Sequence, residues 1–151
     1  MTKPAWSKFP FPNKAFLYPG TALEKNWPRL HRGDCEPCPE TDAVLDAWRS
    51  YHAGDFAKAV EIGLKAGGAG INAANKAAMI YANYLEDDED KKLAIFQEIT
   101  ARCEAQQAND PKNANAWYYY AYALGRYSQG ISITKALAQG LGTRVKTSLE
   151  R

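Results

Sequence analysis

The 151-residue chain is one domain long, and its 46% hydrophobic and 24% charged residues are ordinary globular material. No run approaches the roughly 20 apolar residues a membrane span needs, and the opening Met-Thr-Lys-Pro-Ala-Trp-Ser-Lys lacks the apolar core of a secretory signal. Three cysteines cannot pair completely, so a reducing, cytoplasmic setting is expected.

The net charge of +2 hides an asymmetry. Residues 1–40 carry six Lys/Arg against four acids, residues 41–110 seven against twelve, and residues 111–151 six against one. A basic end can serve an anionic partner, and it is equally what a solvated helical surface looks like.

Residues 1–40 hold seven of the eight prolines, which rules out a long helix there. The same segment carries Trp6, Phe9, Phe11, Phe16, Leu17, Tyr18 and Trp27, too many aromatics for a disordered tail. It reads as an extended arm, partly polyproline II, whose aromatics dock on a helical surface or embrace a partner.

From residue 41 the pattern turns helical. Thr41 is placed as an N-cap, with Glu40 and Asp42 favourable at the positive end of the helix. Val44, Leu45, Ala47, Trp48 and Tyr51 recur at helical spacing up to His52. The turn Gly54-Asp-Phe56 leads to a second helix bearing Ala59, Val60, Ile62, Gly63 and Ala66. Glycines 67, 68 and 70 end it, and Asn72 is expected to open a third helix from Ala73 to about Leu85, with Ala74, Ala77, Ala78 and Tyr81 inward. The acidic run at 86–90 precedes a fourth helix over about 91–108, whose inner face is Leu93, Ile95, Phe96, Ile99, Cys103 and Gln106.

Pro111 stops that helix and pushes Asp110 out of the α region. Asn113 or Asn115 can then cap a fifth helix reaching about Ser128, with Ala116, Trp117, Tyr120, Ala121 and Leu124 on one face. A sixth starts near Ile131 and carries an apolar stripe of Leu137, Leu141, Val145 and Leu149. Gly140 and Gly142 permit close packing there or mark a small break.

The string Asn109-Asp-Pro-Lys-Asn-Ala-Asn-Ala-Trp-Tyr-Tyr-Tyr-Ala-Tyr-Ala-Leu-Gly-Arg-Tyr127 resembles the junction between tetratricopeptide repeats. There, proline, a short polar pair and then alanine and tryptophan open a new repeat. Gly54-Asp-Phe56, with an alanine three residues on, resembles the turn inside such a repeat, although Asp46 sits where a large apolar residue is usual. The resemblance implies an all-α chain: a short α-solenoid of three antiparallel helical hairpins over 41–151, with the proline-rich arm over 1–40. The stripe from Leu137 to Leu149 stops without a cap. The chain is therefore read as a fragment, or as one whose last helix is covered by the arm, by a second copy in a homodimer, or by residues beyond Arg151.

The resemblance further implies that the first helix of each pair lines a concave groove. Its residues would be Val44, Trp48, Tyr51 and His52, then Asn72, Asn75, Met79 and Asn83, then Asn115, Tyr118, Tyr122 and Arg126. Trp48, Tyr51, Asn75, Met79, Asn83, Asn115, Tyr118, Tyr122 and Arg126 are taken as the partner-binding set, suited to another protein or a peptide. The competing reading packs Trp48, Tyr118 and Tyr122 on one another or under the arm. Members that clamp a chaperone's terminal carboxylate use lysines where this chain has none, which argues against that ligand.

Catalysis is not expected. His31 and His52 have no Ser/Asp or Cys/Asn frame around them, and the 86–90 carboxylates sit in an exposed turn that lacks the desolvation of an acid–base pair. Cys35-Glu-Pro-Cys38 offers two of the four ligands of a structural zinc site and no strand context for a redox role. The expectation is no metal, no cofactor and no required disulfide, with a Cys35/Cys38 metal or redox role kept as an alternative. A second alternative is single-stranded nucleic acid stacking on Tyr118, Tyr119, Tyr120, Tyr122 and Tyr127 beside Lys112 and Arg126.

Overall fold

The computed structural model describes residues 4–151. Residues 1–3, the start of the stretch read above as lacking a signal core, lie outside the described residues. Every long element among the described residues is an α-helix, and there is no strand. The helices are α1 Ala22–Leu30, α2 Asp42–His52, α3 Phe56–Ala66, α4 Gly70–Tyr84, α5 Glu89–Asn109, α6 Ala114–Gly130, α7 Ile133–Ala138 and α8 Leu141–Glu150, with one 3-10 turn at Lys14–Phe16. The all-α expectation holds, with eight α-helices among the described residues where the sequence pattern implies six.

Short polar residues set the helix starts. Thr41, Asp55, Asp88, Asn113 and Ser132 each accept a hydrogen bond from the backbone N–H three residues on. Each thereby satisfies an amide that the first turn leaves without a partner. Asn72 does not act this way. α4 begins at Gly70, and Asn72 is a buried side chain inside it, donating to the Glu36 carboxylate at 3.0 Å.

The chain divides into two compact units, with the division between Ala77 and Ala78 inside α4. In the first unit, α2 packs on α3, and Leu23 and Trp27 of α1 join Val44, Leu45, Ala47, Trp48 and Ala73 in one apolar cluster. Residues 22–30 are thus helical and part of the core, whereas an extended conformation was expected. Pro28 stands inside α1, and the helix tolerates the lost N–H because Leu23 and Trp27 bury their side chains in return. Ahead of it, Phe9 packs edge-on against Phe56 at 6.2 Å and fills the space a side chain at Gly54 would need. α3 and α4 approach at Gly63 and Gly70, where a Cβ on Gly70 would lie 2.7 Å from the Gly63 carbonyl oxygen.

In the second unit, α5 packs on α6, α6 on α8, and α7 on α8. The inner face of α5 is Ile95, Phe96, Ile99, Cys103 and Gln106, all buried, and Leu93 is half-buried beside them. α6 buries Asn115, Ala116, Tyr119, Tyr120, Ala121, Ala123, Leu124 and Tyr127. The expected single last helix is two, because Gly140 takes a left-handed conformation (φ +63°) between α7 and α8. The change of direction divides the apolar stripe: Leu141 is buried, while Leu137 and Leu149 are 76% and 62% exposed.

Candidate functional site

Two arrangements of side chains stand out, one in each unit. The first is a polar cluster inside an aromatic shell. His31 caps the C-terminal end of α1 and stacks on Trp27, with ring centres 3.9 Å apart. Its Nδ1 lies 3.0 Å from the Asp34 carboxylate, and its Nε2 lies 3.1 Å from Nε2 of His52 at the end of α2. Lys76 of α4 donates to the same Asp34. Its ammonium also lies 5.5 Å from the Tyr51 ring centre and 5.9 Å from that of Trp48. Tyr18 closes the cluster edge-on to His52.

The electrostatics follow from burial. Burial alone would raise the Asp34 carboxyl, but hydrogen bonds from His31 and Lys76, with the Lys76 charge, hold it well below the usual carboxylate range. Burial, then the His31 and Lys76 charges, push His52 down to about 4. Burial and the nearby Asp34 charge push the Tyr51 hydroxyl up. Glu36 is also buried; its carbonyl oxygen accepts from the Trp27 indole at 2.7 Å and its carboxylate from Asn72.

Sequence reasoning gave the histidines no acid partner, and the structure supplies one. Asp34 stands three residues after His31, a spacing legible in the sequence once the turn between them is known. The meeting of His31 with His52 and Lys76 depends on tertiary packing and left no local signal. Both ring nitrogens of His31 are engaged, so it is held as an oriented, saturated group.

The second arrangement is a stripe on α6. The solvent-facing side of this helix carries Ala114, Tyr118, Arg126 and Gln129, with Tyr122 and Gly125 half-buried among them; Trp117 and Ser128 are half-buried beside this strip and the terminal Gly130 is exposed. Tyr118 is 48% exposed and its ring centre lies 6.5 Å from that of Tyr122. The Arg126 guanidinium lies over Tyr122 at 5.4 Å and donates to Gln129. A side chain at Gly125 would meet nothing within 4 Å, so the space beside Tyr122 and Arg126 is open.

The residues expected to bind a partner divide between surface and core. Trp48, Asn75, Met79 and Asn115 are buried, as is Val44. Tyr51 and Asn83 are half-buried, as is Tyr122, and Tyr118 and Arg126 are exposed. Trp48 packs on Trp27, His31 and Tyr51, and Tyr118 lies against Tyr119 and Tyr122. Of the tyrosines considered for nucleic-acid stacking, Tyr119, Tyr120 and Tyr127 are buried. Tyr120 is further tied to Arg144 at 2.7 Å and Glu104 at 3.2 Å.

Cys35 and Cys38 are exposed thiols, Cys35 with a left-handed backbone (φ +50°) and its Sγ donating to the Arg32 carbonyl. Burial and then Glu24 push the Cys38 thiol up, and burial pushes Cys103 up to about 12, so neither is an activated thiolate. Among the described residues, no group of three His, Cys, Asp or Glu side chains is placed to hold a metal ion. No helix among them is long and apolar enough to cross a membrane. Comparison with protein-family models, with curated proteins and with solved structures finds no match.

Proposed function

We propose that the chain is a non-catalytic protein-interaction module of tetratricopeptide-like type, and that it captures a peptide or partner protein on the exposed stripe of α6. The observation that carries this reading is the row of Tyr118, Tyr122 and Arg126. It lies on the solvent-facing side of the helix and presents aromatic faces and a guanidinium beside an unfilled glycine position. Tyrosine and arginine are enriched in binding hot spots: tyrosine offers large contact area with few rotors to immobilise, and arginine offers a planar fork of directional donors that also stacks on aromatic faces. By the resemblance at residues 109–127, α6 is the first helix of a repeat, the helix that faces a ligand in that family.

The proposal includes a cytoplasmic setting and, through the exposed apolar side chains of α7 and α8, self-association as a homodimer. Ile133 and Leu137, one turn apart on α7, are 79% and 76% exposed, which supports the latter.

A photo-reactive phenylalanine analogue at position 122 tests the reading. Irradiated in extracts, it should cross-link a discrete partner that the same label at Glu89 does not capture. Equal labelling patterns at both positions overturn it. A cross-linked species that nuclease treatment removes would favour the nucleic-acid alternative.

A further inference from the structure

The cluster around His31 is unused by the α6 stripe, and its protonation has a mechanical consequence. Carboxylates only accept, so His31 Nδ1–H donates to Asp34 and the other ring nitrogen of neutral His31, Nε2, is a bare acceptor. His52 must then donate through its Nε2–H across the 3.1 Å gap. The cluster is neutral as a whole in this state, with Asp34 negative, Lys76 positive and both imidazoles uncharged.

We propose that His31 and His52 form an acid-operated latch that fastens the C-terminal end of α1 to the end of α2 and keeps Trp48 covered. One added proton leaves a single N–H···N hydrogen bond between the rings, whichever ring carries it. With a proton added to each ring, two N–H groups face each other at a distance that suits one. The groups around the pair give the added charge little relief. Asp34 is already shared with Lys76, Arg29 of α1 and Lys76 of α4 are like charges, and Tyr18 and Tyr51 are neutral. Separation of the two rings relieves both the donor clash and the repulsion, and it carries with it the Trp27 ring stacked on His31. Burial, with the like charges of His31 and Lys76, lowers the affinity of His52 for its proton, so the closed latch disfavours a charge on both rings at once.

Opening lifts α1 from α2 and uncovers Trp48, which is fully buried when the latch is closed. The device is independent of the α6 reading, since all its residues lie in the first unit.

Amide exchange on the intact chain, corrected for its intrinsic pH dependence, tests the latch. Between about pH 6 and pH 4, residues 22–31 should lose protection while residues 114–127 keep theirs. In a His52→Gln variant, which keeps an N–H donor but takes no proton, that loss should move at least about one pH unit lower. Loss at the same pH in both proteins overturns the latch, as does simultaneous loss in both segments of the natural sequence. Should the variant not fold, imidazole carbon shifts of the unaltered protein decide. His31 and His52 should move together through the transition that frees α1, and titration of both with residues 22–31 still protected overturns the proposal.

Discussion

Trp48 shows how far a single residue can be read from sequence. Its helical spacing marks it equally as a groove residue and as core, and the structure places it fully buried against Trp27, His31 and Tyr51. Trp48→Ala should therefore cost about 3–5 kcal/mol of stability, seen as a lower urea midpoint for the first unit; an unchanged midpoint contradicts the burial. The polar neighbours of Trp48 give the same unit a defined pH dependence. His52 binds its proton less readily folded than unfolded, so its neutral form contributes stability that is complete above about pH 6.5. That contribution falls as the pH drops towards about 4. Asp34, held below its ordinary value, contributes stability that is complete above about pH 4 and is lost in stronger acid. Denaturation of the intact chain should show the first unit gaining stability between pH 4.5 and 7 and then levelling off. His52→Gln should flatten the rise, and Asp34→Asn should leave it in place while weakening the unit at every pH above 4.

At the scale of elements, the helix starts were legible where the signal is local. Thr41 and Asn113 cap the helices expected to follow them because the capping oxygen and its amide partner are three residues apart in the chain. The inner face of α5 was legible for the same reason, its periodicity being written in the helix itself. α1 was not, because prolines forbid long helices but not a nine-residue one secured by Leu23 and Trp27. The break at Gly140 was open to two readings, since glycine serves close packing and left-handed turns alike. The structure separates the two uses: Gly140 turns the chain, whereas Gly63 and Gly70 let α3 and α4 approach. Gly63→Ala should thus destabilise by about 1–3 kcal/mol because backbone must shift to admit the methyl group. Gly140→Ala, with open space but a left-handed backbone, should cost about 1–2 kcal/mol. Differential scanning calorimetry of the two variants checks both, and a Gly63→Ala protein as stable as the parent contradicts the close crossing.

For the whole molecule, the all-α class and most of the core were contained in the sequence, and the candidate site only in part. Helical periodicity shows that a residue faces inward or outward on its own helix; it cannot show what a second helix brings against it. Buried Asn75, Met79 and Asn115 and exposed Tyr118 and Arg126 therefore looked alike until the helices were packed. The surplus of cations after residue 110 is partly spent internally, with Arg144 tied to Tyr120 and Glu104 and Lys146 to Glu150, while Arg126 remains on the exposed stripe beside Tyr122. That stripe is the central claim. Its most direct test is calorimetric titration of the partner cross-linked at position 122 against the intact chain and against a Tyr118→Ala/Tyr122→Ala/Arg126→Ala protein. The stripe account predicts at least about a 30-fold loss of affinity, since two hot-spot side chains or more are removed, with the urea midpoints of the two proteins nearly equal. Affinity within about twofold of the parent, in a variant equally folded, would contradict it.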